Sequence, residues 1–333
     1  MKILVPMAGM GKRMRPHTLT IPKPLIPVAG KPIVQHLVED ISRMSGEKVD
    51  EIAYVIGDFG AEVEKQLVKI AKDLGAKGTI HYQNEPLGTA HAILCAESAL
   101  KGNLIVAFAD TLFRANFKVD AEEEGVIWVH KVENPSSFGV VKLAKDGVIT
   151  EFVEKPQHFV SDLAIIGIYY FKDGENLRKE LQYLIDNEVK DKGEYQLTSA
   201  LENMKNKGMK IKAGEVLEWL DCGNKDATVY TNQRVLEMGK HLHSMVDEVV
   251  MKDSLIVQPC YIGRNVHITQ SVIGPHVSIG DNSIVRNSVI SNSIIQNHTQ
   301  IEGKVIANSM VGNHVHLKAK PEDVSIGDYT TTQ

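Results

Sequence analysis

Cysteine is scarce: there are three in 333 residues, Cys95, Cys222 and Cys260, with no C-x-x-C spacing. This excludes a disulfide framework and a cysteine-built metal knuckle, and predicts reduced thiols in a cytoplasmic protein. Long apolar runs are missing too, since none approaches the roughly 18 residues that cross a bilayer. Nor does Met1 open a charged-then-apolar leader, so the expectation is a chain with no membrane partner and no export. Positive charge is not in excess. The formal net charge of −5 argues against a surface that coats nucleic acid. Aromatics make up only 6% beside 43% hydrophobic residues, an ordinary globular balance with aliphatic material for two domains. Two phosphate-binding signatures are also absent. No G-x-x-x-x-G-K-[ST] occurs, and the pair Gly9-x-Gly11 is followed by Met14 where a dinucleotide fingerprint needs a third glycine.

What is present is a short apolar run, residues 2–6, ending in Ala8-Gly9-Met10-Gly11-Lys12-Arg13, with Pro22-Lys23-Pro24 one loop later. Glycines let backbone N–H groups approach an anion with no side chain between them, often at positive φ. Lys12, Arg13 and Lys23 supply the charge, which suits a nucleoside triphosphate. A plain strand-to-helix turn is the alternative reading of the glycine pair alone.

Strand-like and helix-like runs alternate up to about residue 216. Strands are expected at 2–6, 51–56, 78–82, 104–107, 125–130, 139–143, 165–171 and 209–213, with helices at 32–44, 62–74 and 89–99. The pattern predicts an α/β domain with a Rossmann-like, mostly parallel sheet, whose ligands sit beyond the carboxyl ends of the strands. After residue 251 the pattern changes. Ile256, Ile262, Ile268, Ile273, Ile279, Ile284, Ile290, Ile295, Ile301, Ile306 and Val311 recur every five or six positions. This hexapeptide repeat predicts a left-handed parallel β-helix in which each short strand sends one aliphatic residue inward. The expected division is a catalytic domain over 1–226, a linking helix within 227–250, and the β-helix over 251–333.

Asp110 closes the apolar run 104–109, and Asp221 follows Trp219-Leu220 and precedes Cys222-Gly223. Two carboxylates distant in sequence could share one hard cation such as Mg²⁺, with phosphates and water completing its shell. Taken singly, each also reads as a turn or cap aspartate. Glu154-Lys155-Pro156 gives a second lysine beside proline, which on its own reads as a salt-bridged surface strand. In residues 83–92, Gln83 carries both a donor and an acceptor, as the edge of a pyrimidine requires. His91, by the same standard, reads as a helix-face histidine.

Together these segments resemble the sugar-1-phosphate nucleotidylyltransferases, or NDP-sugar pyrophosphorylases. The glycine turn with Arg13, Pro22-Lys23-Pro24, the Gln83 loop, Asp110, Phe138-Gly139-Val140-Val141, Glu154-Lys155-Pro156, Ile166-Gly167-Ile168-Tyr169 and Leu220-Asp221-Cys222-Gly223 stand in the family's order. Many members end in a β-helix, so the resemblance spans nearly the whole chain and implies a GT-A-like catalytic domain. It implies that Ala8, Gly9, Gly11 and Arg13 hold the triphosphate, with Lys23 nearby, and that Gln83 and Gly88 read the base. Asp110 and Asp221 would bind Mg²⁺, while Gly139, Glu154, Lys155, Gly167 and Tyr169 would line the sugar-phosphate pocket. Arg13, Lys23 and Lys155 are the implied catalytic cations. Two features depart from the family. The glycine loop is one residue short with Lys12 in place of a small hydroxyl residue, and Ala109 stands where glycine often precedes the metal aspartate.

The implied reaction joins an NTP and a hexose 1-phosphate, in a homo-oligomer, with release of pyrophosphate. The Gln83 segment looks closest to thymidylyl- and uridylyltransferases acting on glucose 1-phosphate. Mannose-1-phosphate guanylyltransferases share much of it, and a methyl group separating dTTP from UTP is worth only about 1–3 kcal/mol. A catalytically silent nucleotide-sugar-binding regulatory subunit is the alternative of a second class, although this chain keeps Asp110, Asp221, Lys23 and Lys155. For the β-helix, an acyltransferase using His267, His276, His298, His314 or His316 is weighed against an oligomerisation module, which is favoured because so few coils leave little room for a CoA site.

Overall fold

Ile3, Leu4 and Val5 are fully buried, as a continuous apolar run must be in a sheet covered on both faces. In the computed structural model, which describes residues 1–115, 119–120, 122–239, 249–320 and 322–331, this run is β1 (Lys2–Pro6). There follow α1 (Ile33–Met44), β2 (Glu51–Ile56), α2 (Ala61–Asp73), β3 (Lys77–Tyr82), α3 (Thr89–Leu94) and β4 (Leu104–Ala107). Next come β5 (Thr111–Arg114), β6 (Gly125–Lys131), β7 (Gly139–Leu143), β8 (Ile149–Glu154) and β9 (Leu163–Phe171). The last elements before the repeat are α4 (Gly174–Asp186), α5 (Leu197–Asn206), β10 (Ile211–Glu215), β11 (Glu218–Asp221) and α6 (Lys225–Glu237). The chain divides into two compact units, Met1–Ile26 with Lys31–Ala227, and Pro27–Gly30 with Thr228–Gln333.

The first unit is built on a nine-stranded sheet ordered β8-β7-β9-β4-β1-β2-β3, with β6 joined to both β9 and β10. β4, β1, β2 and β3 are mutually parallel, because α1, α2 and α3 carry the chain back between strands. From β6 to β9 strand follows strand through connections of eight residues or fewer with no α-helix in them, so nothing there carries the chain back for a parallel return. Accordingly β9 runs antiparallel to β4, β6 and β7, and β8 antiparallel to β7. The parallel character expected from the sequence thus holds for one half of the sheet. At Gly167, whose φ is 84°, β9 bulges against β6, the register jumping from Ile165 to Tyr169. Thr89–Leu94 is the helical part of the segment expected to be helical over 89–99, and a 3₁₀ turn, Glu97–Ala99, follows it.

The second unit carries three parallel sheets of short strands, of five, four and four members, the coils of a left-handed β-helix. Ile262, Ile268, Ile273, Ile279, Ile290, Ile295 and Ile301 are buried together in one core, stacked within the three sheets. One expectation fails by a single residue. Val285, not Ile284, stands over Ile268 and under Ile301, and Val285 is fully buried. A strand's faces alternate, so the neighbour of an inward residue must face out. Turn positions hold L-residues in the left-handed region, including Asn265, Asn282, His298 and His314, where asparagine and histidine are enriched. His298 and His314 stack with centroids 4.8 Å apart, and His276 Nε2 lies 3.0 Å from Glu237 Oε1. Pro27–Gly30 groups with this unit. The Ala29 N–H donates to the buried Asn232 Oδ1 at 2.9 Å, and a Cβ on Gly30 would lie 2.1 Å from the Tyr261 ring. The expected linking helix extends into residues 240–248, which lie outside the described residues.

Replacing Val285 by alanine should destabilise the β-helix by about 2 kcal/mol, from two lost buried carbons and the cavity left behind. Ile284→Ala should cost less than about 1 kcal/mol on the same grounds. Thermal unfolding of the two variants checks the register; equal costs would contradict it.

Candidate active site

The loop after β1 is folded by its own backbone. Gly11 sits at φ 56° and ψ 37°, and its carbonyl accepts from Met14 N–H at 2.9 Å and from Thr18 Oγ1 at 2.9 Å. A Cβ there would press on Lys23 Cβ at 3.0 Å and Thr18 Cγ2 at 3.1 Å, so glycine brings this loop onto the Lys23 segment. Met14 is fully buried and anchors the turn, while Lys12 and Arg13 remain exposed. Lys23 opens a 3₁₀ turn, Lys23–Leu25, and is only 8% exposed. Its Nζ donates to Asp110 Oδ2 at 2.9 Å. A buried ammonium needs such a partner, because desolvation without one is costly.

Asp110 lies in the turn between β4 and β5. The antiparallel pairing of β5 with β11 brings Asp221 opposite Thr111, and the Cys222 N–H donates to the Asp110 carbonyl at 2.9 Å. The two carboxylates therefore sense each other. Burial, followed by the negative charge of Asp110, raises the Asp221 pKa, against the opposing pull of Lys23 and Arg13.

A cavity of about 440 Å³ opens at the carboxyl ends of β1 and β4. Its walls include Ala8, Gly9, Gly11, Arg13, Lys23, Gln83, Gly88 and Asp110, eight residues picked out in the sequence. Gly88 is required by shape. With φ at 116°, an added Cβ would lie 2.5 Å from the Tyr195 carbonyl oxygen, and two backbone bonds of 2.9 Å hold Tyr195 to Leu87 and Ala90. Gln83 Nε2 donates to the Gly88 carbonyl at 3.2 Å.

Gly139, Glu154, Lys155, Gly167, Tyr169 and Asp221 are not among the residues lining that cavity. Gly139 and Glu154 face each other across β7 and β8, where a Cβ on the glycine would lie 3.0 Å from Glu154 Oε2. Burial raises the Glu154 pKa, with Asp191 adding to it and Lys155 and Lys192 opposing. Tyr169 joins the two groups. Its phenol pKa is raised by burial and by the Glu154 carboxylate, and its ring meets Phe108 edge-on with centroids 6.1 Å apart. Phe108 lines the cavity and donates its N–H to the Gly167 carbonyl at 2.9 Å. Lys155 is exposed at φ 45°, 3.8 Å from Glu154 Oε1.

Sequence reasoning missed Glu194 and Phe108, which line the cavity, and Lys192, whose Nζ donates to the carbonyls of Glu154 and Lys155 at 2.9 and 3.1 Å. The available signal was Asp191-Lys192-Gly193-Glu194, a turn composition closed by paired backbone bonds between Asp191 and Glu194. Among the described residues no helix is long and apolar enough to cross a membrane.

The family model described as nucleotidyl transferase matches residues 3–238. Glucose-1-phosphate thymidylyltransferase of Streptomyces antibioticus is 33% identical over 307 residues, covering 85% of this chain and 83% of that protein. The bifunctional protein GlmU of Methanococcus maripaludis is 29% identical over 274 residues, covering 78% of this chain and 62% of its own. A solved structure of UDP-glucose pyrophosphorylase complexed with UDP-glucose shares the fold, with a TM-score of 0.58 and 24% identity over 71% of this chain and 98% of that one.

Substituting alanine for Gly88 should destabilise the first unit by about 2 kcal/mol or more, from the positive φ and the collision with Tyr195. Urea unfolding measures it. A neutral result would mean the loop can move away from Tyr195 without strain.

Proposed function

The chain belongs to the nucleotidyl transferase family, and from that premise we propose that it transfers a nucleoside monophosphate from UTP or dTTP to glucose 1-phosphate, releasing pyrophosphate. The observation that carries this reading is the convergence of Lys12, Arg13 and Lys23 with Asp110 in one cavity that Gln83 and Gly88 also line. Three cations suit a triphosphate, and an amide with a neighbouring backbone carbonyl suits a base.

The sugar phosphate attacks the α-phosphorus in line. A phosphorus–oxygen bond forms to the incoming phosphate while the bond to the bridging oxygen breaks, and pyrophosphate departs with the electron pair. The nucleophile is already anionic near neutral pH, so positioning and charge neutralisation suffice without a general base. Arg13 and Lys23 would neutralise the triphosphate, and Lys155 would hold the sugar phosphate beside Glu154. Tyr169, Gly139 and Gly167 would shape the sugar side.

The adjacent carboxylates of Asp110 and Asp221 fit a hard divalent cation, which prefers carboxylate oxygen. No cluster of three or more His, Cys, Asp or Glu side chains suited to a metal occurs among the described residues, so phosphate oxygens and water would complete a Mg²⁺ shell. Such an ion supplies charge neutralisation at the phosphates when bound.

A pyrophosphate-release assay with four NTPs against glucose, mannose and N-acetylglucosamine 1-phosphates should show turnover with UTP or dTTP and glucose 1-phosphate. Absence of release with every pair would refute the proposal. Asp110→Asn should lower kcat by about 10²-fold or more, and activity should vanish in EDTA and return with Mg²⁺. Lys155→Met should act chiefly on the sugar-phosphate KM, leaving the NTP KM near its original value; an effect confined to the NTP would place Lys155 at the other substrate.

A further inference from the structure

Gln83 follows β3 with its backbone N–H given to the Ile56 carbonyl at 2.9 Å, which fixes where its side chain begins. Its amide reaches the Gly88 carbonyl oxygen, 3.2 Å from Nε2. A carbonyl can only accept, so the nitrogen of the amide must face it and Oε1 must turn away. The second hydrogen of Nε2 meets His91 Nδ1, also at 3.2 Å. An NH₂ group can only donate, and Nδ1 is therefore the bare nitrogen of a neutral imidazole with its proton on Nε2, an assignment made from the bonding network. That proton has a matching neighbour, since His91 Nε2 lies 3.9 Å from Cys95 Sγ, a weak acceptor. Both amide hydrogens are thus consumed inside the protein. Oε1 has no protein partner among the described residues, and Gln83 lines the same cavity as Pro86, Gly88 and Thr89.

Resting on the proposed function, we infer that His91 is a positioning residue that locks the Gln83 amide so that it presents only an acceptor to the base. The site then selects a nucleobase that donates a ring N–H, the imide of uracil or thymine or the lactam of guanine. Cytosine and adenine carry a lone pair at the corresponding ring nitrogen, and two acceptors face to face repel. The lock is anchored in backbone, because the Ala90 N–H donates to the Tyr195 carbonyl and the Tyr195 N–H to the Leu87 carbonyl, each at 2.9 Å, on either side of Gly88. Without an acceptor at position 91 the amide would keep one hydrogen for a ligand, and the distinction between the two classes of base would weaken.

The test measures kcat/KM for UTP and for CTP at fixed glucose 1-phosphate in the full chain and two variants. His91→Phe removes the acceptor, whereas His91→Asn retains one. The UTP-to-CTP preference should fall about tenfold or more in His91→Phe and survive largely intact in His91→Asn, with the sugar-phosphate KM unchanged in both. A ratio taken within one preparation is insensitive to the fraction correctly folded. An unchanged preference in His91→Phe, or an equal loss in His91→Asn, overturns the inference. Wild-type protein that uses CTP as readily as UTP overturns it alone. Wild-type protein inactive with every NTP and sugar phosphate overturns the proposed function and this inference with it.

Discussion

A lysine buried to 8% exposure and held 2.9 Å from a single aspartate is the constraint around which the catalytic unit is organised. Lys23 cannot be left unpaired at that depth, and Asp110 cannot leave it without a replacement anion or cation taking up the released charge. Asp221 adds a second carboxylate, whose pKa is raised first by burial and then by the nearby charge of Asp110. Arg13 faces the same group from the glycine loop. The cluster is balanced as it stands, and on the proposed function each member would find a stronger partner in a polyphosphate with its metal ion. Binding would exchange one set of ion pairs for another while keeping the charges inside neutralised.

The sheet topology serves this cluster. Parallel β1 and β4 end at the same level, so the glycine loop and Asp110 emerge side by side. The antiparallel half delivers the rest. β5 and β11 pair to place Asp221 next to Asp110, and the bulge at Gly167 tucks its carbonyl against Phe108. Tyr169 lies just beyond that bulge, between Phe108 and the Glu154 carboxylate. A purely parallel sheet would offer no direct link between the cavity at the ends of β1 and β4 and the pairing of Gly139 with Glu154.

Local signals in the sequence were read well where chemistry and backbone demand coincide. The run Leu104–Ala107 with Asp110 after it and the positive φ at Gly11 are visible as residue types at turns, whereas the close approach of Gly88 to Tyr195 is set by a segment distant in sequence. The antiparallel strand β9 was not visible either, because orientation depends on connections whose lengths only the folded chain reveals. Ile284 was mistaken for an inward residue because isoleucine and valine adjoin there, and a repeat of five or six cannot choose between neighbours; stacking against Ile268 does. Lys192 and Glu194 escaped notice since they act from a turn distant in sequence from Glu154 and Gly88. The roles of Asn232 and Pro27–Gly30 in the second unit were equally invisible, being set by contacts across about 200 residues.

The central claim is that the cations and carboxylates around Lys23 exchange partners on a phosphoanhydride. A crystal structure with UTP, glucose 1-phosphate and Mg²⁺, captured with a non-hydrolysable α,β-linkage, tests it directly. Lys23 is expected on phosphate oxygen beside Arg13, with the ion on Asp110 and Asp221 and Lys155 on the sugar phosphate. A nucleotide bound elsewhere, or phosphates that leave the pairing of Lys23 with Asp110 untouched, would contradict the account.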